Sequence, residues 1–513
     1  MNRRLDDFLR KQVRSAPTRT VIIDGAVSLD FKTLDRMVNA LAAWLIDHGV
    51  GRGDVVSFML PNWWEAIVAQ YAILRVGGVI NPLHMIYRQA ELAFVFDQCQ
   101  PKVVIGLGQF RSTDYGKVLR EACDVAASRP RLLTVRAEDD ELNGILRGSA
   151  HQSATVNASA DDIALLLYTS GTTASPKGVL HSHNTLMRAT KDLRDLFDFT
   201  TDDRLFMPTP ITHVSGLLYS MSMPALVGCC VVFQDVWEPD QAMEIVLEHG
   251  CTFTGGATPF IKGLVASAIA RGIGPHDNPL LRGSCGGADV PAKVIEDAES
   301  VLGAQISRVY GLSEGITVTG SRSHDDIERR ATTDGPVLPG FDVRIVTPHG
   351  LDAGPDEEGE IWVRGPATCL GYLDASANDG AFAVGSYFRT GDLVRRDASG
   401  YVSVSGRLKD IIIRGGENIS AREVEELLMS HPQIDEVAVV GIPDERLGER
   451  VCAFVVTRSD ETLELSDVTD FLRAKKIAPQ KLPERLELID ELPRTPTGKV
   501  QKFALRERVL PGE

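Results

Sequence analysis

The chain has 513 residues, of which 43% are hydrophobic and 24% charged, and its formal net charge is −16. That length predicts two to four domains and a composition of this kind supports a large buried core. The acidity argues against a general nucleic-acid binder, which needs a basic face, although a local cluster of lysine and arginine can still hold an anion.

The first 19 residues, MNRRLDDFLRKQVRSAPTR, are basic but lack an apolar core and a cleavage site, so no signal peptide is expected. Between residues 27 and 50, Leu34, Val38, Leu41 and Leu45 recur at three- and four-residue spacing, which predicts an amphipathic helix ending at Gly51. DVVSFML (54–60) reads as a buried strand, WWEAIVAQYAILRVGGV as a helix and KVVIGLG (102–108) as another strand. Such alternation predicts parallel sheets covered on both faces. DDIALLLY (161–168) is a strand that feeds the loop YTSGTTASPKG (168–178), and HNTLMRATKDLRDLF follows as a helix. LFMPTP, CCVVFQD, CTFTGG and LRGSCGG are strands or strand-to-loop turns. From about residue 340 the strands shorten and Gly and Asp become frequent (VRIVTP, GEIWVRG, YVSVSGR), which predicts a β-rich subdomain. A final unit after Arg407 has its own helices and strands. No apolar stretch reaches 18 residues, so no membrane span is expected and a cytoplasmic location is the default. The eight cysteines form no CxxC pair and predict free thiols in a reducing compartment.

The loop at 168–178 carries the densest chemistry. Glycine lets backbone N–H groups close on an anion, hydroxyls add donors, and lysine adds a point charge, a set suited to phosphate. It is not the GxxxxGK[ST] loop of P-loop NTPases, which would need glycine at Pro176 and Ser or Thr at Gly178. Taken alone, it could equally be a surface loop rich in small polar residues.

Five motifs in order change that balance: YTSGTTASPKGV (168–179), YGLSEG (310–315), YFRTGDL (387–393), GRLKDIIIRGGENI (406–419) and PRTPTGKVQK (493–502). Together the chain resembles the acyl-adenylate-forming superfamily of acyl-CoA synthetases, peptide-synthetase adenylation domains and luciferases, over nearly its full length. Ala174, where that family usually has glycine, is a departure tolerable at negative φ. The resemblance implies an α/β fold. A large N-terminal domain (1–406) of parallel-sheet layers would contain a β-rich subdomain (about 335–406), followed by a small mobile α+β C-terminal domain (407–513) hinged at Lys409.

It also implies site residues. Thr169, Ser170, Gly171, Thr172, Thr173 and Lys177 would hold the β- and γ-phosphates of ATP. Tyr310 would stack on adenine, with Gly286, Gly287, Ala288 and Asp289 along its edge and Gly311 in the turn that follows. Ser313 would meet the α-phosphate, and Glu314 would bind Mg²⁺, a hard cation that prefers oxygen ligands. Asp392 and Arg407 would contact the ribose. Lys499 would steer the carboxylate onto the α-phosphate by offsetting the repulsion between two anions. Gly415, Gly416 and Glu417 would face the site in a second pose that admits coenzyme A, and His213 would border the acyl pocket and thiol tunnel. The pair His181 and His183 has no third ligand at zinc spacing and is read as structural.

The loops assigned to the acyl pocket are small and apolar, and no carboxylate stands where an amino acid's ammonium would bind. These features imply a CoA ligase for an apolar medium-chain, alicyclic or aryl acid. A sterol-derived or long-chain acid is the first alternative, and a stand-alone adenylating enzyme serving a carrier protein the second. A luciferase-like oxygenase and a catalytically silent scaffold are further rivals. Dimers are common among such relatives, so a homodimer is allowed, but no stretch marks an interface.

Overall fold

The computed structural model describes residues 3–148, 156, 158–169, 176–287, 290–415, 417–458, 463–494 and 500–509. They form two compact units. The first comprises Met1–Ala331, Leu338–Asp342 and Arg364–Phe388, and the second Thr332–Val337, Val343–Val363 and Arg389–Glu513.

Two sheets organise the first unit. The eight-stranded sheet runs in the order Thr319–Gly320, Gln305–Tyr310, Arg282–Gly286, Phe253–Gly256, Arg204–Met207, Cys230–Phe233, Thr20–Asp24 and Val27–Asp30. Its inner strands are parallel and its two edge strands antiparallel. The seven-stranded sheet runs Gly371–Tyr372, Lys177–Ser182, Ile163–Thr169, Val79–Pro82, Val55–Met59, Val103–Leu107 and Arg131–Val135. From Ile163–Thr169 onward it is parallel; the other two strands add antiparallel pairings. Val103–Leu107 and Cys230–Phe233 are buried at every residue, as apolar strands covered on both faces must be.

Helices begin where polar caps allow. Ser182 accepts a hydrogen bond from the Thr185 N–H at 3.2 Å and starts His183–Phe197, the helix expected after the loop. The helix expected from residue 27 instead spans Phe31–Asp47. Asp30 caps it by accepting from the Thr33 N–H at 2.7 Å, and the preceding Val27–Asp30 becomes an edge strand beside Thr20–Asp24. The apolar spacing of 34, 38, 41 and 45 located the helix, but a cap inside the window set its start.

The helix Trp64–Arg75 is buried at every residue from Glu65 on and ends in a charge. The guanidinium of fully buried Arg75 lies 2.7 Å from Asp6 and 2.8 Å from Asp35, and donates to Asn39 at 2.8 Å. Asp6 also accepts from Arg10 at 2.8 Å. Burial pushes the Asp6 carboxyl up, but Arg75 and then Arg10 overcome it and hold it below the usual carboxylate range.

Asp342–Val346, Gly359–Arg364 and Tyr387–Arg396, most of whose residues belong to the second unit, are neighbours in that order, and Val402–Arg407 pairs with Tyr387–Arg396. A further sheet runs Glu417–Ser420, Ile411–Arg414, Gly448–Thr457 and Ile434–Asp444, with Arg485–Leu488 parallel to Gly448–Thr457. Ile412, Val424, Leu428, Val439, Val455 and Val468 belong to its core. Among the described residues, no helix is long and apolar enough to cross a membrane.

Two stability predictions follow from these burials. Arg75→Met strands Asp6 and Asp35 around an apolar side chain, and we expect a loss of about 3–5 kcal/mol, read as a lower urea midpoint. A midpoint within experimental error of wild type would contradict it. Burial also pushes His84, His181 and His183 down to about 4. The unfolded chain therefore binds these protons first, at about pH 6.5. Stability is full above that pH and falls as pH drops toward 4. His183→Gln should lose less stability than wild type between pH 7 and pH 5, and parallel losses would refute the assignment.

Candidate active site

In a parallel sheet every strand ends on the same side, and the loops leaving those carboxyl ends share one edge. In the eight-stranded sheet those loops carry most of the expected residues of the first unit. Arg204–Met207 leads to His213, Phe253–Gly256 to Pro259 and Phe260, Arg282–Gly286 to Gly287, and Gln305–Tyr310 to the turn at 311–316. The strands are stitched together there: the Thr209 hydroxyl donates to the Gly255 carbonyl at 2.9 Å, and Gly286 pairs with Val309. A Cβ on Gly286 would come within 2.4 Å of the Val309 carbonyl oxygen, so only glycine closes this pair. Gly287 has φ +79°. Ala288 and Asp289 lie outside the described residues.

Tyr310 is buried, and its carbonyl accepts from the Val318 N–H at 2.9 Å. Between them the chain folds into a tight turn, with the Ile316 N–H donating to the Leu312 carbonyl at 2.6 Å. A Cβ on Gly311 would lie 1.7 Å from the Ile316 oxygen. Ile316 itself has φ +60°, a left-handed conformation costly for a β-branched side chain.

Ser313 and Glu314, at the apex, are held from outside the turn. The His181 Nε2–H donates to the Ser313 carbonyl at 2.7 Å, which fixes the tautomer of this buried, neutral ring. The Cys369 N–H donates to the Glu314 carbonyl at 2.6 Å, and the Tyr372 hydroxyl donates to Glu314 Oε1 at 2.8 Å. The Tyr372 ring centroid lies 5.1 Å from Lys177 Nζ. Lys177 and Thr169 are cross-strand partners where the glycine-rich loop leaves and re-enters the sheet. Ser170, Gly171, Thr172, Thr173 and Ala174 lie outside the described residues.

His213 caps the short helix Val214–Leu217, with Nδ1 2.8 Å from the Ser215 hydroxyl. Its neighbour Thr212 has its hydroxyl 3.2 Å from Nδ1 of His84, a half-buried residue just after the strand Val79–Pro82. That contact joins a loop of one sheet to a loop of the other. Sequence reading passed over His84 and Tyr372. NPLH after a strand is a weak signal for the first, and a lone Gly-Tyr pair is the only local signal for the second.

In the second unit, Asp392 and Arg407 are opposite each other on antiparallel strands, with Arg407 Nε 2.6 Å from the Asp392 carboxylate. The two expected ribose contacts are thus ion-pair partners of one another, and Asp392 is 2% exposed. Lys409 lies on the single turn Leu408–Asp410, between the strands Val402–Arg407 and Ile411–Arg414. Desolvation and then the Arg407 charge lower its pKa. Gly415 has φ +60° and donates its N–H to the Leu447 carbonyl at 2.7 Å, and Glu417 pairs with Arg414 across that turn. Gly416 and Lys499 lie outside the described residues; Arg494 and Val500, either side of 495–499, form an antiparallel bridge.

Comparison with known proteins identifies the family and the fold. Residues 9–373 match the AMP-binding enzyme family and residues 423–499 the AMP-binding enzyme C-terminal domain. A medium-chain fatty-acid–CoA ligase from Escherichia coli K12 is 33% identical, over 99% of this chain and 90% of that relative. A methyl-dioxo-octahydroindenyl propanoyl:CoA ligase from Rhodococcus jostii is 31% identical, over 97% of each chain. Among solved structures, ATP-bound MatB from Rhodopseudomonas palustris superposes with a TM-score of 0.90 at 28% identity, covering 99% of both chains. With most of its length matched in motif, fold and sequence, the chain belongs to the AMP-binding enzyme family, among acyl-CoA ligases and other acid-adenylating enzymes.

Proposed function

We propose that the chain is an ATP-dependent carboxylic acid:CoA ligase that makes an acyl-AMP with release of pyrophosphate, then an acyl-CoA with release of AMP. The observation that carries this reading is the fixed placement of Ser313 and Glu314 beside the Tyr372–Lys177 contact, where the glycine-rich loop re-enters the sheet.

Mg²⁺ suits such a donor set. Among the described residues no cluster of three or more His, Cys, Asp or Glu could hold a metal ion alone. Mg²⁺ instead is commonly held by one or two carboxylates together with substrate phosphates, and Glu314 supplies one carboxylate. Bound there, the ion would neutralise phosphate charge. Lys177 and the hydroxyls of the 169–173 loop would bind the β- and γ-phosphates, and Tyr310 with the 286–289 turn would hold adenine. Asp392 and Arg407 would take the ribose hydroxyls.

The carboxylate substrate must approach an anionic phosphate, and Lys499 would touch both and offset the repulsion. The mixed anhydride then has to be shielded from water and offered to a thiol, two tasks that need different groups around it. We assign the exchange to rotation of a C-terminal domain, residues 407–513, about Lys409 against the body formed by residues 1–406. In the second pose Gly415, Gly416 and Glu417 would admit the pantetheine arm, and His213 would border the thiol path.

The acid would be apolar: a medium-chain, alicyclic or aryl carboxylate, with sterol-derived or long-chain acids as the alternative. Ala257, Phe260 and Ile316 are buried near the strand ends, and Phe260 packs edge-on against Trp237 at 4.9 Å.

The deciding experiment is pyrophosphate release with ATP and Mg²⁺ across short, medium, cyclic, aryl and polycyclic acids. Lys499→Ala should lower adenylate formation by about 100- to 1,000-fold, the scale for removing a transition-state electrostatic partner. The same variant should still convert supplied acyl-AMP and coenzyme A to thioester. Equal loss of both half-reactions would exclude the two-pose mechanism, and transfer to a carrier protein but not to free coenzyme A would favour an adenylating enzyme that loads a protein.

A further inference from the structure

Tyr372 sits on a two-residue strand, Gly371–Tyr372, at the end of the seven-stranded sheet. The segment is fastened along its length. The Leu370 N–H donates to the Leu180 carbonyl and the Leu373 N–H to the Gly178 carbonyl, both at 2.8 Å. Tyr372 pairs with Val179, and its own N–H donates to Asn378 Oδ1 at 2.9 Å. Gly371 has φ +123°, and a Cβ there would lie 2.9 Å from the same Asn378 oxygen, so glycine is needed to bring Asn378 under the strand. Leu370 and Leu373 are exposed, whereas Tyr372 is buried and directed inward.

The ring reaches two separate motifs. Its hydroxyl donates to Glu314 Oε1 at 2.8 Å, and its face lies 5.1 Å from Lys177 Nζ. Two and three residues earlier on the same stretch, the Leu370 and Cys369 amides donate to the Leu180 and Glu314 carbonyls respectively. Burial and then the Glu314 charge raise the phenol's pKa, so at neutral pH it remains a donor. A carboxylate that accepts a hydrogen bond on one oxygen is restricted in rotation, and a metal meets its second oxygen in a preset direction.

We propose that Tyr372 is a positioning residue that presets the Glu314 carboxylate for the metal–nucleotide substrate while its ring face holds the Lys177 ammonium. Neither contact is adjacent in sequence, and one side chain couples the two motifs. This rests on the ligase reading above, in which Glu314 meets Mg²⁺ and Lys177 meets phosphate.

The test uses the full-length protein and the probe mant-ATP. Fluorescence titration with Mg²⁺ gives the metal requirement for nucleotide binding, and pyrophosphate release gives it for turnover. Tyr372→Phe keeps the ring and removes the hydroxyl. It should raise the half-saturating Mg²⁺ concentration by about tenfold or more, the scale of a lost hydrogen bond to a charged group, with an unchanged melting midpoint. In a Glu314→Gln background the same substitution should change the Mg²⁺ requirement no further, because the group it acts through is gone. Tyr372→Leu removes the ring as well, and should additionally weaken mant-ATP binding at saturating Mg²⁺ by about two- to fivefold. A wild-type Mg²⁺ curve for Tyr372→Phe, or equal penalties in both Glu314 backgrounds, overturns the proposal. Wild-type protein that shows no Mg²⁺-dependent nucleotide binding overturns the ligase reading itself, and this inference with it.

Discussion

The 311–316 turn is strained, and its own hydrogen bonds are reinforced from outside. It forces a β-branched isoleucine into a left-handed conformation and brings two backbone segments so close that only glycine fits at 311. Left alone, such a turn would relax. It is retained by hydrogen bonds arriving from elsewhere: His181 on the Ser313 carbonyl, the Cys369 amide on the Glu314 carbonyl, and Tyr372 on the Glu314 carboxylate. All three donors belong to the strand Lys177–Ser182 or to the segment beside it. The strained apex is therefore tied to the strand Lys177–Ser182, and the direction in which Glu314 points is set by the end of the seven-stranded sheet.

This dependence explains why the two sheets are ordered as they are. The strand Lys177–Ser182 is antiparallel to Ile163–Thr169, so both ends of the loop between them are anchored in the ladder. Gly371–Tyr372 then adds on the far side and is fastened by Asn378. The eight-stranded sheet supplies the opposing set of loops from its parallel carboxyl ends. Loops of the seven-stranded sheet are tied to the loop that carries His213: Asn62 donates to the Met207 and Thr209 carbonyls and accepts from the Ile211 N–H, and His84 meets the Thr212 hydroxyl.

Much of this was legible in the sequence because it is local. The apolar runs at 54–60, 102–108 and 161–168 became strands, and the polar cap at Ser182 opened the helix that follows. The start of the helix at Phe31 was not legible from periodicity, because the Asp30 cap and the pairing of Val27–Asp30 with Thr20–Asp24 decide it. Thr20–Asp24 lies beside Cys230–Phe233, a partner that no window of sequence contains. The candidate residues of the site were found by motif, but their supports were not. Tyr372 lies 58 residues from Glu314, and His181 lies 132 residues from Ser313, distances that only strand order closes. The pairing of Asp392 with Arg407 likewise follows from the register of two antiparallel strands.

The cysteines have a chemical consequence for an enzyme of this class. None forms a disulfide and all eight are buried, and burial pushes the thiols of Cys99, Cys123, Cys230, Cys251, Cys369 and Cys452 up to about 12. The reactive form of a thiol is its anion, so these sulfurs are poor nucleophiles at neutral pH. An activated acyl group released inside such a protein would meet little competition from these six sulfurs. Self-acylation at these six sulfurs would be slow at neutral pH, and an incoming thiol with an ordinary pKa would outcompete them.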